Sequence, residues 1–340
     1  MDPNSRAMVM GAAGAGSANA LYATDVFQST TYTGTAATQA LTTGINLLDN
    51  SGLEIYKRRD SVFSGQNSSH LLSDLCWGTK YIRGIVSSNT NDQFSSATDL
   101  GAWTTSGTTV DNDLLATNNF GNQYVLHTFR NAPKFFQAYN GVVDISGAVS
   151  STLSFSQLGT LGMVIVLSSR SATPLYSWHR SLTAGNLINF NSNAAQYSSA
   201  IVTVSGTDVT ITGTAGISQS VAVYAFAHNA GGFGSSGASS IVQCGSYTGT
   251  GTTQQVDCGF AAGARFVMIK RANGTGDWYI WDTARGIVSG NDPYWRPNSI
   301  NIEVANTDYI DPYSAGFEIS SSAPSAINAS GGSFIYLAIA

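Results

Sequence analysis

The chain has 340 residues, a formal net charge of −5 and only 10% charged side chains. That balance leaves no basic surface to neutralise phosphates, which excludes nucleic acid as a partner. Hydrophobic residues reach 43%, too many for a disordered chain, and roughly 100–200 residues per domain gives two or three domains.

The chain opens on a Gly/Ala-rich stretch, Ala7-Met8-Val9-Met10-Gly11 through Ala20. It has the outline of a secretory leader but is weakly apolar rather than Leu-rich, and it turns too polar after residue 16 to insert in a membrane. We read residues 1–31 as an arm that anchors the chain to a neighbouring protein, with Met8, Met10, Leu21 and Tyr22 as its contacting side chains.

Beyond the arm, landmarks recur at the spacing of a small domain. Tyr32-Thr33-Gly34, Tyr139-Asn140-Gly141 and Tyr247-Thr248-Gly249 lie 107 and 108 residues apart. Each precedes a compact apolar run that reads as a central strand: Leu53–Lys57, Met163–Leu167 and Phe266–Lys270. An aromatic strand running into a turn follows, clearest in Trp278-Tyr279-Ile280-Trp281-Asp282-Thr283-Ala284-Arg285-Gly286. Asp74, His179 and Asp282 align as its turn position, 105 and 103 residues apart. The last strand of each unit is Tyr124–Phe129, Val221–Phe226 and Phe334–Ile339. No stretch carries a sustained helical period, apart from one expected helical turn over Asp282–Arg285. The fold class is therefore all-β: three tandem antiparallel β-sandwich (jelly-roll-like) domains preceded by an N-terminal arm. The expected units are residues 32–133, 134–234 and 235–340, linked by Arg130–Lys134 and the Gly-rich Asn229–Gly237.

Little in the sequence points to chemistry. Cysteines 76, 244 and 258 have no CxxC spacing. A Cys244–Cys258 bridge across a hairpin centred on Gly251 is an alternative to the favoured reading, two small buried thiols. The four histidines, at 70, 127, 179 and 228, show no metal-site spacing and read as exposed or hydrogen-bonded strand-end residues. There is no G-x-S-x-G elbow and no phosphate-cradling Gly loop. Asp308 and Asp311, the nearest pair of acids for glycoside hydrolysis, share a turn. No cofactor or metal is expected, nor an enzymatic activity.

Asp282 and Arg285, at i and i+3, read as an ion pair that fixes the turn. Trp278 and Trp281 point to opposite faces of their strand, so one is expected in the core and the other, Trp278, is a candidate ligand or subunit contact. Tyr294, Trp295 and Arg296 lie in a rigid loop between Pro293 and Pro297; they read as a subunit or core contact, with stacking on a sugar as the alternative.

Taken together, the YTG landmark, the strand ending in Ile-Lys, the W-x-x-W-D-T-A-R-G turn and the strand after Asn-Ala-Ser-Gly-Gly resemble a repeat of virion proteins from tailed bacteriophages of marine and freshwater habitats, cyanophages included. The resemblance covers roughly residues 25–340 and is best in the third unit; Leu167 lacks the strand-end lysine kept at Lys57 and Lys270. It implies a place in the virion and no known catalytic activity. The expected function is a short tail fibre or receptor-binding protein, homo-oligomeric with a trimer as the guess, bound to other virion proteins and to a host surface glycan. The alternative is a capsid decoration or cement protein, or a head fibre.

Overall fold

A computed structural model describes residues 20–60, 70–76, 79–84, 93–94, 101–111, 117–143, 150–168, 174–213 and 219–340. Met8 and Met10 lie outside the described residues. The first part of the chain contributes β1 (Phe27–Thr33), β2 (Gln39–Thr42), β3 (Gly52–Arg58), β4 (His70–Cys76), β5 (Thr79–Gly84), β6 (Gln93–Phe94), β7 (Gly107–Val110) and β8 (Gln123–Arg130). The second contributes β9 (Phe136–Val143), β10 (Ser150–Ser154), β11 (Leu161–Ser168), β12 (Tyr176–His179), β13 (Asn186–Asn189), β14 (Tyr197–Ser198), β15 (Val202–Ser205), β16 (Asp208–Thr212) and β17 (Gln219–Ala227). The third contributes β18 (Val242–Thr248), β19 (Gln254–Asp257), β20 (Phe266–Arg271), β21 (Trp278–Asp282), β22 (Ile310–Tyr313), β23 (Gly316–Ile319), a single-turn helix α1 (Ser325–Asn328) and β24 (Ser333–Ile339).

One strand order occurs three times. The large sheets contain β1-β8-β3-β4, β9-β17-β11-β12 and β18-β24-β20-β21, all antiparallel. Smaller sheets, β2-β7, β10-β16-β15 and β19-β23-β22, accompany them. The register repeats too: Leu53 sits opposite Asp74, Met163 opposite His179 and Phe266 opposite Asp282. The turn residues aligned from sequence therefore occupy equivalent positions.

The three modules are not beads on a string. Alternate residues of a strand point to opposite faces, and here both faces are covered. In β20, Phe266 and Met268 enter a core shared by all three modules, while Val267 and Ile269 enter the interior of the third sandwich. β24 divides the same way, with Ile335, Leu337 and Ile339 in the shared core and Phe334, Tyr336 and Ala338 in the sandwich. This double cover explains why the central strands are near-continuously apolar and why β3 is buried along its whole length. Phe129 packs on Phe136 and Phe226 of the second module at 5.8 and 5.6 Å, and on Phe266 of the third at 5.9 Å.

The YTG landmark closes one end of its module. The Tyr32 and Tyr247 hydroxyls donate to the carbonyls of Thr117 and Ile327, and their rings stack on Tyr124 and Phe334 at 5.1 and 5.0 Å. A Cβ at Gly34 or Gly249 would run into the carbonyl oxygen of Asn119 or Ala329, so glycine is required by close approach. Asn118 and Asn328 pin the adjoining turns in parallel fashion. The Asn118 Oδ1 accepts from Thr35 N and Gln39 Nε2, and the Asn328 Oδ1 accepts from Thr250 N and Gln254 Nε2.

Several expectations change. Asp282–Arg285 forms a hydrogen-bonded turn rather than a helical one, and the described α-helix lies instead at α1. β1 begins at Phe27, inside the stretch assigned to the arm. Leu21 packs against the shared core, and its carbonyl accepts from Gly234 N; Tyr22 is half exposed. Cys244 and Cys258 are free, buried thiols, and burial raises both, Cys258 to about 12.

Candidate functional site

Of the candidate side chains named in the third module, Trp278, Asp282 and Trp295 lie at a boundary between modules. Trp278, Trp281 and Trp295 are fully buried and Tyr294 nearly so. The core reading of the Trp295 loop therefore holds, and the alternative of an exposed anchor at Trp278 or Trp295 is corrected. Opposite-facing residues of β21 do diverge, Trp278 to the shared core and Trp281 to the sandwich interior. Because both faces are covered, neither indole reaches solvent. The Trp278 indole N–H donates to the Asn189 carbonyl of the second module, and its ring packs on Phe190 at 5.2 Å. Tyr294 stacks among Tyr279, Trp281 and Tyr309. Arg296 pairs with Asp277 at 2.8 Å, partly exposed.

Asp282 and Arg285 form the expected ion pair at 2.6 Å, with both side chains fully buried. Asp282 Oδ1 also accepts from Arg285 N. The Arg285 guanidinium reaches further, to Glu303 at 3.0 Å and to the Ile280 carbonyl. Glu303 in turn receives a two-pronged contact from Arg59 of the first module, each prong 2.9 Å. Such bidentate, charge-assisted geometry fixes orientation as well as charge. Lys57 of the first module donates to the Asn301 carbonyl at 2.7 Å. Burial pulls its ammonium down to about 7; Glu303 opposes the shift, while Arg285 and Arg296 add to it.

This seam also contains a serine, a histidine and an aspartate in a row. Ser29 Oγ is 2.9 Å from His127 Nδ1, and His127 Nε2 is 3.8 Å from Asp282 Oδ2. A nucleophilic serine needs an imidazole nitrogen free to take its proton, with the carboxylate holding the opposite N–H. The arrangement here is the reverse. The Trp295 indole donates to His127 Nε2 at 3.2 Å. An indole nitrogen can only donate, so Nε2 is the bare nitrogen and Nδ1–H donates to Ser29. Asp282 faces the lone pair at a distance too long for a hydrogen bond. Burial holds the imidazole down at about 4, with Asp282 pulling upward and Arg285 downward, so the ring is neutral at pH 7. All three residues are buried. They lock two modules together and do not form a hydrolytic triad.

The expectation of exposed or hydrogen-bonded strand-end histidines holds at His179, the last residue of β12, and is corrected at His127. His127 lies within β8, and His179 is buried with its Nε2 3.1 Å from the Tyr336 carbonyl. The β-pattern of Tyr124–Phe129 carried no signal that one of its residues would meet a charged turn from another module. Ser29, Arg59 and Glu303 were equally silent. Lys57 and Lys270 had a signal, their recurrence at the strand end, and their positions explain it. Lys270 Nζ donates to the carbonyls of Asn193 and Ala194 in the second module and to its own Arg271 carbonyl. Among the described residues no group of three or more His, Cys, Asp or Glu is arranged to hold a metal ion, and no helix is long and apolar enough to cross a membrane.

A mostly-β body with several antiparallel sandwiches and a buried polar seam is thus the class of protein this chain forms. Residues 22–340 match a family described as a domain of unknown function (DUF7483), and the chain belongs to that family. No curated protein matches the chain.

Proposed function

We propose that this chain is a non-enzymatic structural protein of a bacteriophage virion, acting as a short tail fibre or receptor-binding protein that anchors through its N-terminal stretch. The observation that carries the reading is the use made of the W-x-x-W-D-T-A-R-G turn. Its tryptophans, aspartate and arginine are all engaged inside the molecule, so the motif that resembles phage repeats serves assembly of the body and not turnover of a substrate. A host glycan partner is retained, but not at Trp295 and Tyr294, whose rings are buried.

A second reading, a capsid decoration or cement protein, is favoured by the compact association of the three modules around one core. Bracing a shell calls for a rigid plug more than for an extended rod. Deleting residues 1–19, which precede the contact of Leu21 with Gly234, separates anchor from body. The truncated chain is expected to fold, with unchanged thermal stability, and to be missing from assembled particles. Wild-type incorporation of the truncated chain would remove the anchoring role. Tail or capsid proteins cross-linked to the intact arm distinguish the two placements.

A further inference from the structure

The contacts between modules repeat in a cycle. The turn position of the third module meets the last strand of the first, through Asp282 and His127 at 3.8 Å. The turn position of the second meets the last strand of the third, through His179 and the Tyr336 carbonyl at 3.1 Å. The strand-end lysine of the first reaches a loop of the third, Lys57 to Asn301, and that of the third reaches a loop of the second, Lys270 to Asn193 and Ala194. First strands follow the same rule. Phe136 of β9 meets Phe129 of the first module, Cys244 of β18 abuts Gly162 of the second, and Phe27 of β1 meets Phe266 of the third at 5.4 Å. The last of these returns the chain to its beginning. Three modules thus form a closed ring with approximate threefold symmetry. A small apolar cavity sits where they converge, with Ile55, Phe129, Ile165, Phe226, Met268 and Leu337 among its lining.

We infer that one copy of this chain takes the place of a homotrimer, and that its partner is a threefold-symmetric one: three identical subunits around an axis. Closed rings form when a head-to-tail contact repeats until it meets itself. Here, among the described residues, the surfaces that three separate subunits would use to find each other are already buried within one polypeptide. The two seams described at their turn positions share geometry but not chemistry. The first–third seam uses a neutral histidine against a buried ion pair, and the second–third seam uses a histidine on a carbonyl. Leu167 fills the position that is lysine in the other two modules. Non-identical seams permit one order of modules and oppose exchange between chains.

The surface offered outward is alike on the first and third modules. Lys57 and Lys270 cross to their neighbours at the end of the sheets where the YTG turns lie, so the modules point the same way around the ring. That end presents neutral turns held rigid by Asn118 and Asn328, with Thr35, Ala37, Thr250 and Thr252 exposed. The second module's counterparts fall outside the described residues; two equivalent rigid turns on a ring of three modules fit a partner that repeats its site around an axis.

Native mass spectrometry of the full chain tests the first half, and should give the mass of a single chain across the micromolar range. A three-chain species overturns it. The second half is read from the tagged full-length chain, isolated with whatever it binds in the cells or particles that produce it. The expected copy ratio is one chain to three of its main partner. A ratio of one to one, or recovery with no partner, overturns it. A one-to-three complex found outside any particle would sink the virion reading and leave this one standing.

Discussion

At the scale of single residues, the structure distinguishes two tryptophans that look alike in sequence. Both Trp281 and Trp295 are fully buried. Among the described residues the Trp281 indole nitrogen has no hydrogen-bond partner, whereas that of Trp295 donates to His127. Truncating Trp281 to Ala opens a large cavity and is expected to cost about 3–5 kcal/mol. Replacement by Phe should discriminate between the two. Trp281→Phe removes no hydrogen bond, while Trp295→Phe leaves the bare nitrogen of His127 buried without its indole donor, a penalty of roughly 1–3 kcal/mol beyond the lost volume. Urea denaturation of both variants checks the order, and equal losses would show that the indole–imidazole bond contributes nothing.

His127 also predicts a pH response. Its folded-state value is depressed from 6.5 to about 4, so the unfolded chain binds more protons between those limits. The contribution is present above pH 6.5 and lost as pH falls through about 4. Asp292 has the opposite sign, because burial raises its carboxyl from 3.8 to about 6, and its contribution is lost as pH rises through about 6. The test is therefore a difference. Stability measured at pH 7 and pH 4.5 should fall by a few kcal/mol more in the wild type than in His127→Gln, which does not titrate. Identical pH profiles would mean that the imidazole does not titrate with folding.

At the scale of elements, the YTG turns show what a short motif encodes. The tyrosine supplies a stacked ring and a hydroxyl that satisfies a turn carbonyl, and the glycine lets that turn approach. Gly34→Ala and Gly249→Ala should each cost about 1–3 kcal/mol through overpacking. Ser330→Ala, at an exposed position of the same turn, should change stability by less than about 0.5 kcal/mol. Thermal melts of the three variants decide it, and Gly variants as stable as the serine control would refute the close-approach account. The strands and their order of recurrence were legible because apolar runs and aromatic landmarks are local signals. The fate of Trp278 was not. A strand with one buried and one open face and a strand covered on both faces differ only in what packs on the second face, and that partner is a different module some ninety residues away, at Asn189 and Phe190. The same holds for the Asp282–Arg285 pair: its spacing announced a local turn, but its extension to Glu303, Arg59 and His127 depends on how modules meet.

At the scale of the whole molecule, the shared core decides how the chain unfolds. Tandem sandwiches with separate interiors would melt as separate units, each with its own enthalpy. Here Phe129, Phe136, Phe226 and Phe266 belong to one cluster drawn from all three modules, and losing any module exposes the inner faces of the other two. Calorimetry should show one transition whose van't Hoff and calorimetric enthalpies agree. Arg285→Met sharpens the test, since it leaves the fully buried Asp282 without its ion-pair partner, a loss of about 3–5 kcal/mol. In a closed ring that substitution lowers the single transition as a whole, although Arg285 bonds to Asp282, Ile280 and Glu303 of the third module and is joined to the first through Arg59 on Glu303. In a chain of independent domains it would shift one of several peaks and leave the second module's melting untouched. A split endotherm, or a second-module signal from Trp178 fluorescence that ignores the Arg285 substitution, would show that the three modules fold alone and that the ring is only a resting arrangement of separable parts.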